Sequence, residues 1–308
     1  MQKIKKQIIL RIITFALCIS IIISAPILMA QNSGIKSNSD ESVMTIYTIW
    51  QIDSFEGGKG SRANYLQTVW NDCFKNTKTY VNVISLTATA ARQNILVGIV
   101  PDLISYGAGM YGIENIICGQ EPYYTWAHGG YCFLTIDENA DFSDINFKNT
   151  IINKGTDNLS GAAALICGVE NAAVGTPTGA YVSLIQGEYK YLLGTQRDIY
   201  RLKTRELNFK VKPITEFNDL YQNISITTTD SKKATTANVF INYLLNQGEN
   251  IVKLGLMGNG KFYDDEMSQM ESLNYKYKLT TIVSEHIHME LLNAIGKSDI
   301  NLLKNLLK

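Results

Sequence analysis

Residues 45–74, TIYTIWQIDSFEGGKGSRANYLQTVWNDCF, decide the fold of this chain. The first six are β-branched or aromatic, which predicts a buried strand. From Arg62 the apolar side chains recur at helical spacing, and Ser61 is a suitable N-cap for that helix. A strand, a loop and a helix in this order place the loop at the carboxyl end of a strand, where open α/β sheets bind ligands.

The glycine-rich segment 51–61 does not fit the nucleotide P-loop, because Lys59 is not followed by serine or threonine. One interpretation is a flexible turn before a capped helix. The other is a ligand loop, in which Asp53 and Glu56 accept hydrogen bonds from hydroxyl groups. In that case Trp50 or Phe55 stacks on a ring of the ligand. The loop alone leaves both interpretations open.

The chain of 308 residues is long enough for two modest domains or one large one. Lysine and arginine number 28, as do aspartate and glutamate, so the net charge does not indicate nucleic acid or an acidic partner.

The N-terminus carries an export pattern. Four basic residues precede an uncharged run of about 19 residues, 12–30, which is just long enough to span a bilayer. The pattern predicts either a signal peptide or an uncleaved membrane anchor, with everything after residue 30 outside the cell. Residues 31–42 are small and polar, which predicts a linker.

Cysteine usage leaves the redox state open. Four cysteines after the export segment could form two disulfides in three connectivities, but most stand in apolar surroundings, which favours buried thiols. No C-x-x-C spacing occurs, so no zinc site is predicted. The four are Cys73, Cys118, Cys132 and Cys167.

Strand and helix patterns alternate after residue 79, which predicts a parallel sheet in a three-layer arrangement. Residues 107–112, GAGMYG, match the dinucleotide fingerprint letter for letter. The segment that follows is too short for the required helix, so we interpret 107–112 as a glycine-rich turn on the ligand-binding edge. The three histidines form no metal pair and no nucleophile elbow occurs, so no metal, cofactor or enzyme activity is predicted.

Several segments together resemble the extracellular solute-binding proteins of ABC importers, in the type II group that includes many sugar binders. They are the first loop 50–61, the G-x-x-P-D-L segment 98–103, the aromatic-glycine stretch 126–131, the helix–strand–turn segment 180–195 and the helix 237–245.

The resemblance implies a two-lobed α/β fold, each lobe a three-layer sandwich, with a cleft between them. Lobe one would comprise residues 43–128 and 228–264, and lobe two 129–227 and 265–308. The chain is shorter than most sugar binders of this group and lacks their lipobox, so a reduced second lobe and a different anchoring mode are expected.

The resemblance also implies a monomer that captures a small ligand, most simply a carbohydrate, and delivers it to the permease subunits of an ABC transporter. The expected ligand-binding residues are Trp50, Asp53, Phe55, Glu56, Arg62, Tyr106, Tyr123, Trp126, Thr195, Gln196 and Arg197.

Two alternatives stay open. Arg62 and Arg197, both near helix N-termini, could bind an anion, whereas Asp53 and Glu56 could bind a cation such as a polyamine. The chain could also be a surface protein or an enzyme that reuses the binding-protein fold.

Overall fold

The structure is a computed structural model that describes residues 44–52, 61–107, 110–113, 116, 123–127, 129–153, 159–214, 216–217, 221–247, 251 and 285–307. Within these residues the chain forms ten strands and eight helices. The strands are β1 (Thr45–Ile52), β2 (Thr79–Leu86), β3 (Leu103–Gly107), β4 (Tyr124–Ala127), β5 (Tyr131–Thr135), β6 (Thr150–Asn153), β7 (Ala173–Gly175), β8 (Tyr191–Thr195), β9 (Lys210–Pro213) and β10 (Gln222–Ile226). The helices are α1 (Arg62–Cys73), α2 (Ala88–Leu96), α3 (Leu159–Ile166), α4 (Pro177–Ile185), α5 (Gln196–Lys203), α6 (Ser231–Leu245), α7 (Glu285–Gly296) and α8 (Ile300–Leu306).

The predicted strand–loop–helix unit at the start of the fold is confirmed at both ends. Helix α1 begins at Arg62, and the Ser61 hydroxyl accepts the backbone N–H of Asn64 at 3.1 Å, as an N-cap does. The strand is longer than predicted, because Gln51 and Ile52, which we assigned to the loop, continue the parallel ladder with β2. Residues 53–60 lie outside the described part.

The first sheet has the order β2-β1-β3-β10-β4. Strands β2, β1 and β3 are parallel, and β10 runs antiparallel to both of its neighbours. One face packs on α1 and α6, and the other packs on α2. This lobe is therefore a three-layer sandwich, as predicted.

The second sheet has the order β7-β6-β8-β5-β9. Strands β7, β6 and β8 are parallel, whereas β5 is antiparallel to β8 and β9. Helices α3, α7 and α8 cover one face, and α4 and α5 cover the other. The second lobe repeats the three-layer arrangement.

The chain passes from one lobe to the other between β4 and β5, returns between β9 and β10, and crosses again between α6, which packs on the first sheet, and α7, which packs on the second. We expected residues 129–227 to belong to lobe two, but β10 pairs within the first sheet. Its antiparallel ladder with β3 fills a central position there, which corrects the boundary to a point before Gln222.

The Pro-Asp segment before β3 holds the first lobe together at the amino ends of its strands. The Asp102 carboxylate accepts the backbone N–H of Thr48 at 2.9 Å and the Lys233 ammonium at 2.8 Å. It therefore joins β1, β3 and α6 at the edge opposite to the loop after β1. This contact gives the segment a structural role.

Three cysteines of the described part, Cys73, Cys132 and Cys167, are free thiols, whereas Cys118 lies outside it. Burial raises the pKa of the Cys132 and Cys167 thiols, as expected for packed rather than reactive groups. Within the same residues, no group of three or more potential ligands could hold a metal ion. None of the described helices is long and apolar enough to cross a membrane; the apolar run 12–30 lies outside them.

Candidate functional site

The connections between the sheets bring two strand edges together. Strand β4 ends at Ala127 and β5 begins at Tyr131, so three residues span the distance, at most about 15 Å. Ala127 lies at the carboxyl end of β3, because both it and Gly107 are paired with Gln222. Tyr131 is paired with Thr195 at the carboxyl end of β8. The carboxyl ends of the parallel strands of both sheets therefore lie at the crossing, where α/β proteins bind ligands.

Gln51 provides a polar group at the edge of the first sheet. Its side chain is fully buried, and its Nε2 donates to the backbone carbonyl of Ile52 at 2.9 Å. Because that bond needs a donor, it fixes which end of the carboxamide is nitrogen. The Oε1 atom is buried and has no hydrogen-bond partner among the described residues.

Gln222, the first residue of β10, repeats this arrangement at the same edge. Its Nε2 donates to the backbone carbonyl of Tyr221 at 3.2 Å, and its buried Oε1 is likewise unpartnered in the described part of the chain. The position across the ladder is Gly107, where an added Cβ would lie 3.7 Å from Nε2 of Gln222. The glycine therefore leaves room for a further group beside this side chain.

Gln196 provides the matching group at the edge of the second sheet. Its Oε1 accepts the backbone N–H of Gly130, in the crossing segment, at 2.7 Å. A backbone N–H can only donate, so the carboxamide nitrogen must point elsewhere. This Nε2 is buried and without a partner within the described residues.

The start of α5 is fixed by a buried carboxylate. Asp198 accepts the backbone N–H of Thr195 at 3.0 Å and the Asn153 amide at 2.9 Å. It also accepts Arg201 at 3.0 Å. Thr195, which we expected to bind ligand, is the N-cap of α5. With these bonds Asp198 positions the helix that carries Gln196.

Arg197, the second residue of α5, is the cation placed at this edge. Removal from water, together with the nearby positive charge of Arg201, lowers the pKa of Arg197 to about 10. The guanidinium remains charged at neutral pH, and an anion brought to it would offset part of the cost of its desolvation.

Most of the aromatic residues that we expected to contact ligand are buried in the first lobe. Trp50 packs with Tyr106 in the cluster under α2, and the Tyr106 hydroxyl lies 2.9 Å from the Ser225 hydroxyl. Burial raises the pKa of Tyr106. Trp126 is fully buried and donates its indole N–H to Ser105 at 3.2 Å.

Of the other expected residues, Arg62 begins α1, Tyr123 precedes the end of β4 that lies away from the crossing, and three lie outside the described part. Tyr123 is 40% exposed just before β4, and Arg62 is the first, half-buried residue of α1. Asp53, Phe55 and Glu56 belong to the segment 53–60, which is not described.

Our sequence analysis did not select Gln51, Gln222 or Asn153. A usable signal was present for Gln51 and Asn153, because each is a polar residue near the carboxyl end of a strand made mostly of β-branched or aromatic residues. Gln222 does not stand out in this way, because β10 also contains Asn223 and Ser225. Recognising the signal requires the strand ends to be known to within one residue, which sequence patterns do not give.

No protein-family model matches the chain, and no curated protein matches it in sequence. Among solved structures, the chain is similar to a protein described as the substrate-binding domain of a molybdenum ABC transporter from Clostridium difficile. The identity is 9% and the TM-score 0.50, with 70% of this chain and 99% of that chain covered.

A second similar structure is the galacto-N-biose/lacto-N-biose I-binding protein of an ABC transporter from Bifidobacterium longum, in complex with lacto-N-biose. Here the identity is 10% and the TM-score 0.52, with 87% of this chain and 97% of that chain covered. These likenesses establish the fold: the chain has the two-lobed α/β architecture of periplasmic binding proteins.

Proposed function

We propose that this protein is an extracellular solute-binding protein, which captures a small ligand between its lobes and delivers it to an ABC importer. The observation that carries the proposal is the pair of strand edges at the crossing, each lined by buried polar side chains. Two lobes joined by crossing segments can close on a ligand, and closure is favoured only by contacts made in the closed state.

A carbohydrate is the ligand that we propose first. The carboxamides of Gln51, Gln222 and Gln196 are uncharged and able to donate and accept, as sugar hydroxyls are. The acids Asp53 and Glu56, which follow β1 in the sequence, would add acceptors for hydroxyl groups.

Mass spectrometry of small molecules released from the purified, denatured full chain tests this proposal. We expect a neutral hydroxylated compound in near-stoichiometric amount. Addition of that compound to the native protein should raise the thermal midpoint, because a ligand that binds only the folded state stabilises it. The absence of any co-purified or stabilising small molecule would contradict solute binding altogether.

An anion is the second candidate, and Arg197 is the observation that favours it. A half-buried guanidinium with a lowered pKa beside Arg201 is a suitable partner for a carboxylate or an oxyanion. If this candidate is correct, molybdate, sulfate or a carboxylate should raise the thermal midpoint, and Arg197→Met should abolish that increase.

The export pattern of residues 3–30 supports a location at the outer face of the cell membrane, either anchored or secreted. In cells that express the full chain, protease added from outside should release or degrade the folded part. Recovery of intact protein from the cytosol after this treatment would exclude a role in uptake.

A further inference from the structure

We infer that the ligand is a neutral molecule with several hydroxyl groups, and that Gln51 and Gln222 accept its hydroxyl hydrogens while Gln196 donates to its oxygens. This inference rests on the proposed function. It deepens that proposal by assigning the hydrogen-bonding polarity of the site, and it selects between the two ligand classes above.

The two acceptors follow from the bonds that the glutamines already make. In Gln51 the carboxamide nitrogen donates to Ile52, and in Gln222 it donates to Tyr221. Rotation of either amide by half a turn would place oxygen against carbonyl oxygen, which is repulsive. Both free atoms are therefore oxygens, and each needs a donor from outside the described residues.

The same argument identifies the donor, because in Gln196 it is the amide oxygen that already has a partner. Gly130 donates to the oxygen of Gln196, so the free atom of Gln196 is the amide nitrogen. Gly130 stands three residues after Ala127, the ladder partner of Gln222. The donor of the second lobe and an acceptor of the first therefore flank the same crossing.

The energetic cost of these atoms indicates that something pairs with them. A buried polar atom without a partner has lost its hydrogen bonds to water without replacement, and native proteins leave few such atoms. Gln51 and Gln222 are less than one-tenth exposed, and Gln196 is fully buried. A ligand that pairs all three would recover that cost on binding.

The polarity excludes the competing ligand classes. A fully deprotonated oxyanion has no hydrogen to donate, so it would face the two carboxamide oxygens without a bond. A cation could donate to these oxygens, but an ammonium group has no lone pair with which to accept the amide hydrogens of Gln196. Hydroxyl groups both donate and accept, and they satisfy every group of the set.

The test uses the full chain and methionine variants of the two acceptors, since methionine keeps the length of glutamine and removes its hydrogen bonds. Calorimetry with a panel of neutral mono- and disaccharides, sodium molybdate and spermidine should show saccharide binding only. We expect Gln51→Met and Gln222→Met each to weaken that binding about tenfold or more. The exposed residue Gln93 supplies the matched control, Gln93→Met, which should bind as the wild type does.

A second measurement separates a binding role from a structural one. Without ligand, both methionine variants should stay close to the wild type in stability, because each loses one hydrogen bond to a backbone carbonyl but also removes a buried oxygen that lacks a partner. Gly107→Leu should block binding by filling the space beside Gln222.

Three results would overturn the inference. Binding of molybdate or spermidine without binding of any saccharide would refute the assigned polarity, although solute binding itself would stand. Unchanged saccharide affinity in both methionine variants would show that the two oxygens meet ordered water only. Loss of unliganded stability in both variants would make the glutamines structural. Failure of every compound to bind would instead refute the proposed function.

Discussion

Gly130 donates its backbone N–H to the carboxamide oxygen of Gln196 across 2.7 Å, which ties the crossing segment to the first turn of α5. The backbone N–H of Gln196 in turn donates to the carbonyl of Gly130 at 3.3 Å. This reciprocal pair fixes one end of the connection to the second lobe. Within this segment, we therefore expect a closing motion between the lobes to be absorbed before Gly130.

Replacement of Gln196 by alanine should destabilise the protein. The buried N–H of Gly130 would lose its acceptor, which we expect to lower the free energy of unfolding by about 1–3 kcal/mol. Urea unfolding measures the change. The exposed control Gln93→Ala should change it by less than about 0.5 kcal/mol. Equal effects in the two variants would contradict the structural role of the contact.

The Asp102 contacts predict a stability effect without a binding effect. Asp102→Ala leaves the Thr48 N–H and the Lys233 ammonium without their acceptor, which should cost about 2–4 kcal/mol. Lys233→Met should cost less, and the exposed Lys232→Met serves as its control. Because Asp102 lies at the opposite strand edge, the affinity for ligand should stay within about twofold of wild type. A large loss of affinity would place the binding site elsewhere.

The hydrogen bonds of the Asp144 carboxylate predict that this residue accounts for part of the stability that the protein loses in acid. A hydrogen bond from the Tyr191 hydroxyl and another from Lys190 lower the pKa of the Asp144 carboxyl from its ordinary value of 3.8. A lowered folded-state pKa contributes stability above 3.8, and that contribution is lost as pH falls through the lowered value. Asp144→Asn should therefore lose less stability than wild type between about pH 6 and about pH 2. Parallel curves for the two proteins would contradict this assignment.

A substitution at Trp126 tests whether this side chain acts in the core of the first lobe or in ligand binding. Trp126→Phe removes the indole N–H that Ser105 accepts and reduces the stacking on Tyr65, whose ring centroid lies 5.7 Å away. We expect the unliganded protein to lose about 1–3 kcal/mol, with the ligand-induced rise in thermal midpoint retained. A stable variant that has lost that rise would instead support the ligand contact predicted from the sequence.

The remaining prediction from the sequence is that Asp53 and Glu56, the two acids that follow β1, bind the ligand. Asp53→Ala and Glu56→Ala should each change the unliganded stability by less than about 0.5 kcal/mol, because both are on a glycine-rich loop. Each should remove most of the stabilisation that a saturating saccharide gives. Intact affinity combined with a destabilised empty protein would make the acids structural.

Local patterns were the part of this fold that could be predicted from the sequence. The cap at Ser61 and the helical face of α1 depend on residues within a few positions of each other, so spacing and side-chain type were enough. The order of the segments that resemble solute-binding proteins extended this to two three-layer lobes.

The site itself depends on distant parts of the chain. Whether Trp50 meets ligand or core is decided by α2, which covers it, and not by its own strand. The partner of Gln196 lies 66 residues away, and Gln222 reaches the edge only because β10 returns to the first sheet. The pattern of side chains along the sequence does not specify such distant pairings. For this reason the sequence pointed to aromatic residues as ligand contacts and not to the buried amides.

The return of β10 also determines the order in which the two sheets can be completed during synthesis. The second sheet has all of its strands once Pro213 has been made, whereas the first sheet begins at Thr45 but waits for Gln222–Ile226. Its contact between Asp102 and Lys233 closes a separation of 131 residues. Until β10 has been made, β3 and β4 lack the strand that pairs with both of them. Until α6 has been made, the apolar surface on which it packs stays exposed. The sheet that begins first thus receives its last strand after the other sheet is complete, although one face of the second sheet still waits for α7 and α8. A chain halted before residue 222 would expose an incomplete, aggregation-prone first sheet.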